Sequence, residues 1–567
     1  MQTFLDEVAI KILSSKFKID QVKIVVPSIR AINFLKESIK KVIDRPIITP
    51  SIVSISEFLE HLSGIRSANN LELLYNFYEV YKEYTPKVEL ESFNQFFGWA
   101  PTLIREFNEI DQQLVNAKEL FSYMDALGNI ESWGTQEKGD LSKRYFKLQG
   151  KFFLYYQKLY EKLLKKQKGY SGIQMREAIK NIAFYIQQEI PQHFFVGFNA
   201  LTKCEEILIQ ELISVGKAEI FWDIDKAFFE DPYHSAGHFI RKYHKEWNVL
   251  KKSKNLEFRN IFSKSKKIEI LSTVNNTIQA KTAINIACKL HKEYNSKSTV
   301  VVLGDEELLK PALSVLPDQK ISWNITMGYP IKNTALMGFF KSYFDLHENY
   351  SDKGYPYRTF YEFSKTAFSR AILKNSESGF YRWIEKYSLS YVTSGELFAK
   401  GPEANLLFTP FKNVNQFLKQ LIKITNTLKN IYSKSKEDPF KIETCHFFLS
   451  ILDSLYELYH DYNFMASLTD LKMIFETLIA HESFDFKGDP LSGIQIMGLL
   501  ETRLLDFENV IITNLNESIL PKGKTPFSWI PFDVRKKFGI NTFIEQDHLY
   551  AYHFFRLLQR AKNVHLL

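Results

Sequence analysis

Short β-branched runs alternate with long stretches of helical periodicity, and the alternation divides the chain. Residues 1–20 carry an amphipathic helix pattern. Val22-Lys23-Ile24-Val25-Val26 then reads as a strand that stops at Pro27 and leads into a helix from Ala31 to Ile43. A second strand within 46–54 precedes another helix, with Ser56 read as its N-cap. From about residue 70 to 190 the spacing is helical, with few β-branched runs. Residues 193–225 return to strand, loop, helix and strand. A Lys/Asn-rich connector over 244–266 leads to further strand–helix pairs at 268–290 and 298–313. Residues 336–488 are helical again, and 492–521 restore strands.

The order predicts an α/β fold of two lobes, each interrupted by a mainly helical insert. The first lobe takes residues 1–95 and 191–265, with 96–190 as its insert. The second takes 266–345 and 489–567, with 346–488 as its insert. A length of 567 residues suits roughly three or four folding units of about 150 residues. Two RecA-like lobes of the P-loop-NTPase type, each with a helical insert, are the layout of superfamily-one helicase motors.

The ends of two strands that read as adjacent and buried draw attention to chemistry. The apolar run Ile494, Ile496, Met497 ends at Glu501-Thr502-Arg503, and Val510-Ile511-Ile512 ends at Asn514, Asn516 and Glu517. Ligands of open α/β sheets are gripped at the carboxyl ends of strands. Arg503 is therefore read either as a phosphate contact or as half of an internal Glu501–Arg503 pair. Asn514 and Asn516 carry the same two readings. Asn324, Thr326, Gly328, Tyr329 and Pro330 crowd one loop, whose amide and hydroxyl groups suit a phosphate and whose tyrosine suits a base. The alternative is a tight loop that sets how the second lobe enters its insert. Lys522 and Lys524 read as solvent-facing and able to meet a phosphate backbone. Residues 158–170 form a basic helix end, read as a solvated face or part of a duplex path.

Composition changes this picture little. Aromatics make up 15% of the chain, which large cores explain and base-stacking platforms would also require. The net charge of +8 is mild and compatible with a basic groove on a neutral body. Cys204, Cys288 and Cys445 stand far apart and make neither a disulfide framework nor a clustered iron–sulfur site. With no apolar run of about 18 residues and no signal peptide, the expectation is a cytoplasmic protein with no membrane partner.

The motif a motor needs is missing. No G-x-x-x-x-G-K-[ST] loop occurs, and the equivalent turn Pro27-Ser28-Ile29-Arg30-Ala31 has no glycine to bring backbone amides onto phosphates. Asp223 and Asp225 follow an apolar run as Walker B acids would, but without a phosphate loop to serve. Asp305 reads as a helix N-cap. ATP hydrolysis and nucleotide binding are not expected.

The stretches 24–35, 48–59, 195–206, 219–242, 322–334, 494–521 and 547–567 together resemble AddB-type subunits of bacterial helicase–nuclease complexes, labelled as PD-(D/E)XK nuclease family proteins. The resemblance spans nearly the whole chain. It implies a helicase-like, ATPase-inactive DNA-binding scaffold in double-strand-break repair, paired with an AddA-like helicase–nuclease subunit. It also implies a Mg-dependent nuclease domain after residue 567, and the apolar strand pattern at 563–567 fits a longer protein. Arg560 falls where a motor's transition-state arginine sits. Without a phosphate loop it is read as a structural ion pair or a DNA contact. The D-x-K tripeptides at Asp318/Lys320, Asp470/Lys472 and Asp485/Lys487 are read as chance, so no catalytic residue is assigned. His234 and His238 are read as surface histidines at a capped helix start rather than as ligands. An autonomous ATP-dependent helicase, or a protein scaffold without DNA affinity, are the alternatives.

Overall fold

A computed structural model describes residues 2–567, apart from 44–45, 134–146, 252–257, 294–297, 318–320, 374–382, 384–389, 436–438, 463–466, 481, 485, 487–490 and 522–526, and apart from the side chains of 128–133, 398, 435 and 461–462. The chain forms two compact units. One comprises Met1–Leu90, Phe96–Met327 and Phe486–Leu567; the other comprises Glu91–Gln95 and Gly328–Asp485.

The two larger sheets lie in the first unit. Strands β1 (Val22–Val26), β2 (Ser51–Ser54), β3 (Gln192–Val196) and β4 (Ala218–Phe221) form an all-parallel sheet in the order β2-β1-β3-β4. Strands β5 (Lys267–Ile270), β6 (Thr299–Leu303), β7 (Trp323–Ile325), β8 (Ile494–Gly498), β9 (Asn509–Ile512) and β10 (Asn563–Leu566) form a second parallel sheet, ordered β5-β10-β9-β6-β8-β7. Continuous apolar runs such as Val-Val-Val-Leu in β6 suit strands covered on both faces.

Alternation along the first sheet explains its two cores. Val22, Ile24, Val26, Phe194 and Val196 face helices α1 (Phe4–Leu13) and α2 (Ile29–Val42). Val25 and Phe195 face the other way, onto the helix Ile55–Ser63 and α3 (Lys203–Ser214). In the second sheet Val300, Val302, Val510, Ile512 and Val564 pack against Leu557 and Leu558 of α5 (Phe543–Gln559). The helix α4 (His238–Glu246) belongs to the first sheet's side.

Two sequence expectations change. Ser54 rather than Ser56 caps the helix Ile55–Ser63, because its hydroxyl accepts from Glu57 N while Glu57 returns the bond in a capping box. The strands at 494–498 and 509–512 are not neighbours either: β6 lies between them. Parallel strands need a crossover, and a crossover leaves room for an intervening strand.

The aromatic residues are largely structural. Phe77, Tyr81, Phe96, Trp99, Phe107 and Tyr155 make mutual edge and tilted contacts in the first helical block. In the second unit Phe339, Phe340, Tyr343, Phe417, Phe448 and Phe475 make mutual stacked, tilted and edge contacts. The basic helix end is an ion-paired face: Lys158 meets Glu161, Lys162 meets Glu79 and Lys168 meets Glu72. Among the described residues, no helix is long and apolar enough to cross a membrane.

Candidate functional site

The two sheets meet at a joint built where the first sheet's strands end. Asp223 lies two residues past β4 and is buried. Asp506, in the turn before β9, has a fully buried side chain. Between them lie two arginines one helical turn apart, Arg556 in α5 and Arg560 at its C-cap. Arg556 donates through Nε to Asp223 (2.7 Å) and through Nη2 to Asp506 (2.8 Å), and through Nη1 to the carbonyls of Thr502 (2.9 Å) and Leu505 (2.6 Å). Arg560 donates to Asp223 (2.8 Å) and Asp506 (3.4 Å). Tyr552 adds a bond to the Asp223 carbonyl, and Asp506 also accepts from Phe4 N at the start of α1 (2.7 Å).

Electrostatics keep this network charged. Burial alone would raise the Asp223 carboxyl, but Arg560 and Arg556 outweigh it and hold the group below its ordinary value. Burial disfavours both guanidinium charges, and the two carboxylates more than compensate, so both arginines are raised. Two charges of each sign, with Arg556 donating from all three of its nitrogens, hold the cluster together, while the buried Nε of Arg560 has no hydrogen-bond partner.

Beside the charges sits an apolar plug. Leu504, with φ +64°, enters the first sheet's core among Val22, Ile24, Val26, Phe194 and Val196. It faces Gly197, the residue that follows β3. Gly197 has φ +70°, and a Cβ there would lie 1.7 Å from Leu504 Cδ2. Only glycine meets both demands.

The turn after β1 makes its own hydrogen bonds. Ser28 Oγ accepts from Ala31 N (3.4 Å) and caps α2, and Arg30 Nη2 reaches the Thr326 carbonyl at 3.4 Å. Asp225 is structural: it caps Lys226–Glu230 and accepts from the amides of Ile261 (2.6 Å) and Phe262 (2.9 Å). Asp305 caps the short turn Glu306–Leu308.

The residues singled out by sequence are scattered. Arg560 is in the joint, turned inward. Arg503 is half-buried beside it; burial lowers its guanidinium, the charges of Glu501 and Glu205 oppose this, and its Nε meets no hydrogen-bond partner. Asn324 is buried and donates to Gln495 on the neighbouring strand (2.6 Å). Thr326 bonds the Ile496 carbonyl through both its amide (3.0 Å) and hydroxyl (3.2 Å). Tyr329 lies in the other unit, paired with Phe484 and edge-on to Phe440. Asn514 is buried at φ +53°, whereas Asn516 is exposed. Lys522 and Lys524 lie outside the described residues, as do the Asp318/Lys320 and Asp485/Lys487 tripeptides. Lys472 is paired with Asp345 and Glu348, 2.7 Å from each, rather than with Asp470.

His234 Nδ1 accepts from Ala236 N, and the ring stacks on Phe228. Among the described residues, no three His, Cys, Asp or Glu side chains are placed to hold a metal ion. Asp506, Arg556, Leu504 and Gly197 escaped the sequence reading. The one signal was spacing, since Arg556 stands four residues before Arg560 and hence on the same helix face. No family profile matches the chain, and no curated protein matches its sequence.

Proposed function

We propose that this protein is a helicase-like scaffold that binds DNA without hydrolysing ATP, as the AddB-type resemblance implies. A motor opens and closes around a nucleotide held between two lobes. The observation that carries the reading is the engaged acid: Asp223, the would-be metal-binding residue, is bound by Arg556 and Arg560, and Leu504 packs into the first sheet's core at the same joint. Each of its oxygens already accepts from a guanidinium, and the two positive charges held against it oppose the approach of Mg²⁺. In this reading the lobes are welded, and the energy for unwinding comes from an AddA-like partner. A Mg-dependent nuclease would belong to a part of the protein beyond residue 567.

The test is titration of a fluorescent duplex bearing a single-stranded tail, repeated over a range of salt, alongside an ATP turnover assay. The reading expects micromolar or tighter binding that weakens steeply with salt, and no turnover with or without DNA. ATP turnover by the isolated chain would revive the autonomous helicase. No binding at low salt would leave a protein-interaction scaffold.

A further inference from the structure

Where α4 meets α5, the rings of His238 and His548 lie face to face, 4.0 Å between centroids and 11° from parallel. His238 opens α4, on the first sheet's side, and His548 sits in the second turn of α5. Phe239 presents an edge to both rings, at 5.2 Å and 6.4 Å. His548 Nδ1 is shut from solvent with no hydrogen-bond partner.

The surrounding charges are mostly committed elsewhere. Arg241 acts on both rings but donates to the carbonyls of Phe228 (2.5 Å) and His234 (2.6 Å). Lys242 acts on His238 and pairs with Glu206. Glu545 acts on both rings while capping Thr542, and Asp547 acts on His548 from an exposed position. Among the described residues no carboxylate forms an ion pair with either imidazole. A protonated stack would therefore hold two positive rings in van der Waals contact, one with a buried N–H lacking an acceptor.

We propose that the His238–His548 stack is a proton-sensitive contact at the rim of the joint, held while both rings are neutral and parted when both are charged. Parting releases the start of α4 and the first turns of α5, while the Asp223–arginine core stays closed. The sign follows from linkage. Burial lowers both rings; His548 lowers His238 further, and Glu545 and Asp547 oppose burial at His548. The parted form binds more protons, so the closed contact is fully favoured above the ordinary histidine value of about 6.5 and is lost as pH falls below it.

Hydrogen exchange of the intact chain, corrected for the intrinsic pH dependence of amide exchange, tests this between pH 7.5 and 5.5. Peptides covering 235–246 and 543–551 should open on the order of tenfold more at the lower pH, the effect of about one proton-linked pH unit. His548→Phe and His238→Phe each keep a ring in the stack and remove one proton site, and both should flatten that rise. Amides of β3 and of the helix Ala335–Glu348, which carry the buried His193 and His347, report general acid loosening. The proposal is overturned if the rim does not open in the wild type, if it opens only in step with those reference amides, or if a folded phenylalanine variant opens as the wild type does.

Discussion

Leu504 and Gly197 occupy each other's space: the leucine's methyl lies where a side chain at 197 would begin. The contact joins a turn of the second sheet to the end of a first-sheet strand. It packs one side of the joint, while a cavity of about 650 Å³ lined by Phe4, Glu7, Asp223 and Arg560 lies on the other.

Gly197→Ala should accordingly be among the most damaging small substitutions in the first unit. It adds backbone strain at positive φ and a collision that Leu504 must leave its core to relieve. Leu504→Ala should cost about 2–5 kcal/mol, the range for emptying a buried leucine site. The double variant should lose less than the sum, because removing the leucine also removes the collision. Urea midpoints of the three variants and the wild type decide it. Additive losses would mean that the two residues do not share space.

Asp223→Asn should leave Arg556 and Arg560 short of one charge and destabilise by about 3–5 kcal/mol, as expected for half-breaking a buried ionic cluster. The pH dependence has a definite sign. The Asp223 carboxyl is lowered in the folded state, so its stabilisation is complete above the unfolded value of 3.8 and is lost as pH falls through the folded one. Thermal unfolding from pH 6 down to pH 2 should show a wild-type decline that is shallower in the asparagine variant. Parallel curves would remove Asp223 from the acid response.

Nucleotide should leave the protein's melting temperature unchanged. A ligand bound only by the folded state raises stability with concentration, so millimolar ATP and Mg²⁺ would reveal even weak binding. A rise in Tm of several degrees would show that the joint opens.

DNA binding should separate two residues that sequence treats alike. Arg503 is half-buried with its Nε shut from solvent, so in the proposed reading its outer guanidinium nitrogens carry any phosphate contact, and Arg503→Ala should weaken tailed-duplex binding several-fold and lower the salt slope by about one unit. Asn324 spends its amide on Gln495, so Asn324→Ala should cost about 1 kcal/mol of stability with no change in that slope. Equal effects on binding would mean that neither contact with DNA is direct.

Histidine burial gives a further expectation. His193 is held near a pKa of about 4 by burial, and its Nε2 meets Tyr185 Oη at 2.9 Å. Its contribution is present above about 6.5 and declines below that value, as for any histidine buried neutral. His193→Gln, which keeps a polar partner for Tyr185, should flatten the stability curve between pH 6.5 and 4 in chemical unfolding. An unchanged curve would place the acid response elsewhere.

The sequence by itself determined which segments become strands and helices, because period and β-branching act locally. Val22–Val26, Thr299–Leu303 and Asn563–Leu566 were readable from their own residues, and so was the absence of a glycine turn after Val26. Only the tertiary structure decided which strands adjoin, since parallel pairing depends on crossovers that no local pattern records; hence β6 lies between two strands that look adjacent. It also decided what the polar strand ends do. Asp223 and Arg560 stand 337 positions apart, and their charges become a lock only because folding removes both from water and sets them 2.8 Å apart. The plug was invisible for the same reason: a leucine and a glycine carry no chemical signature until packing gives one the other's space.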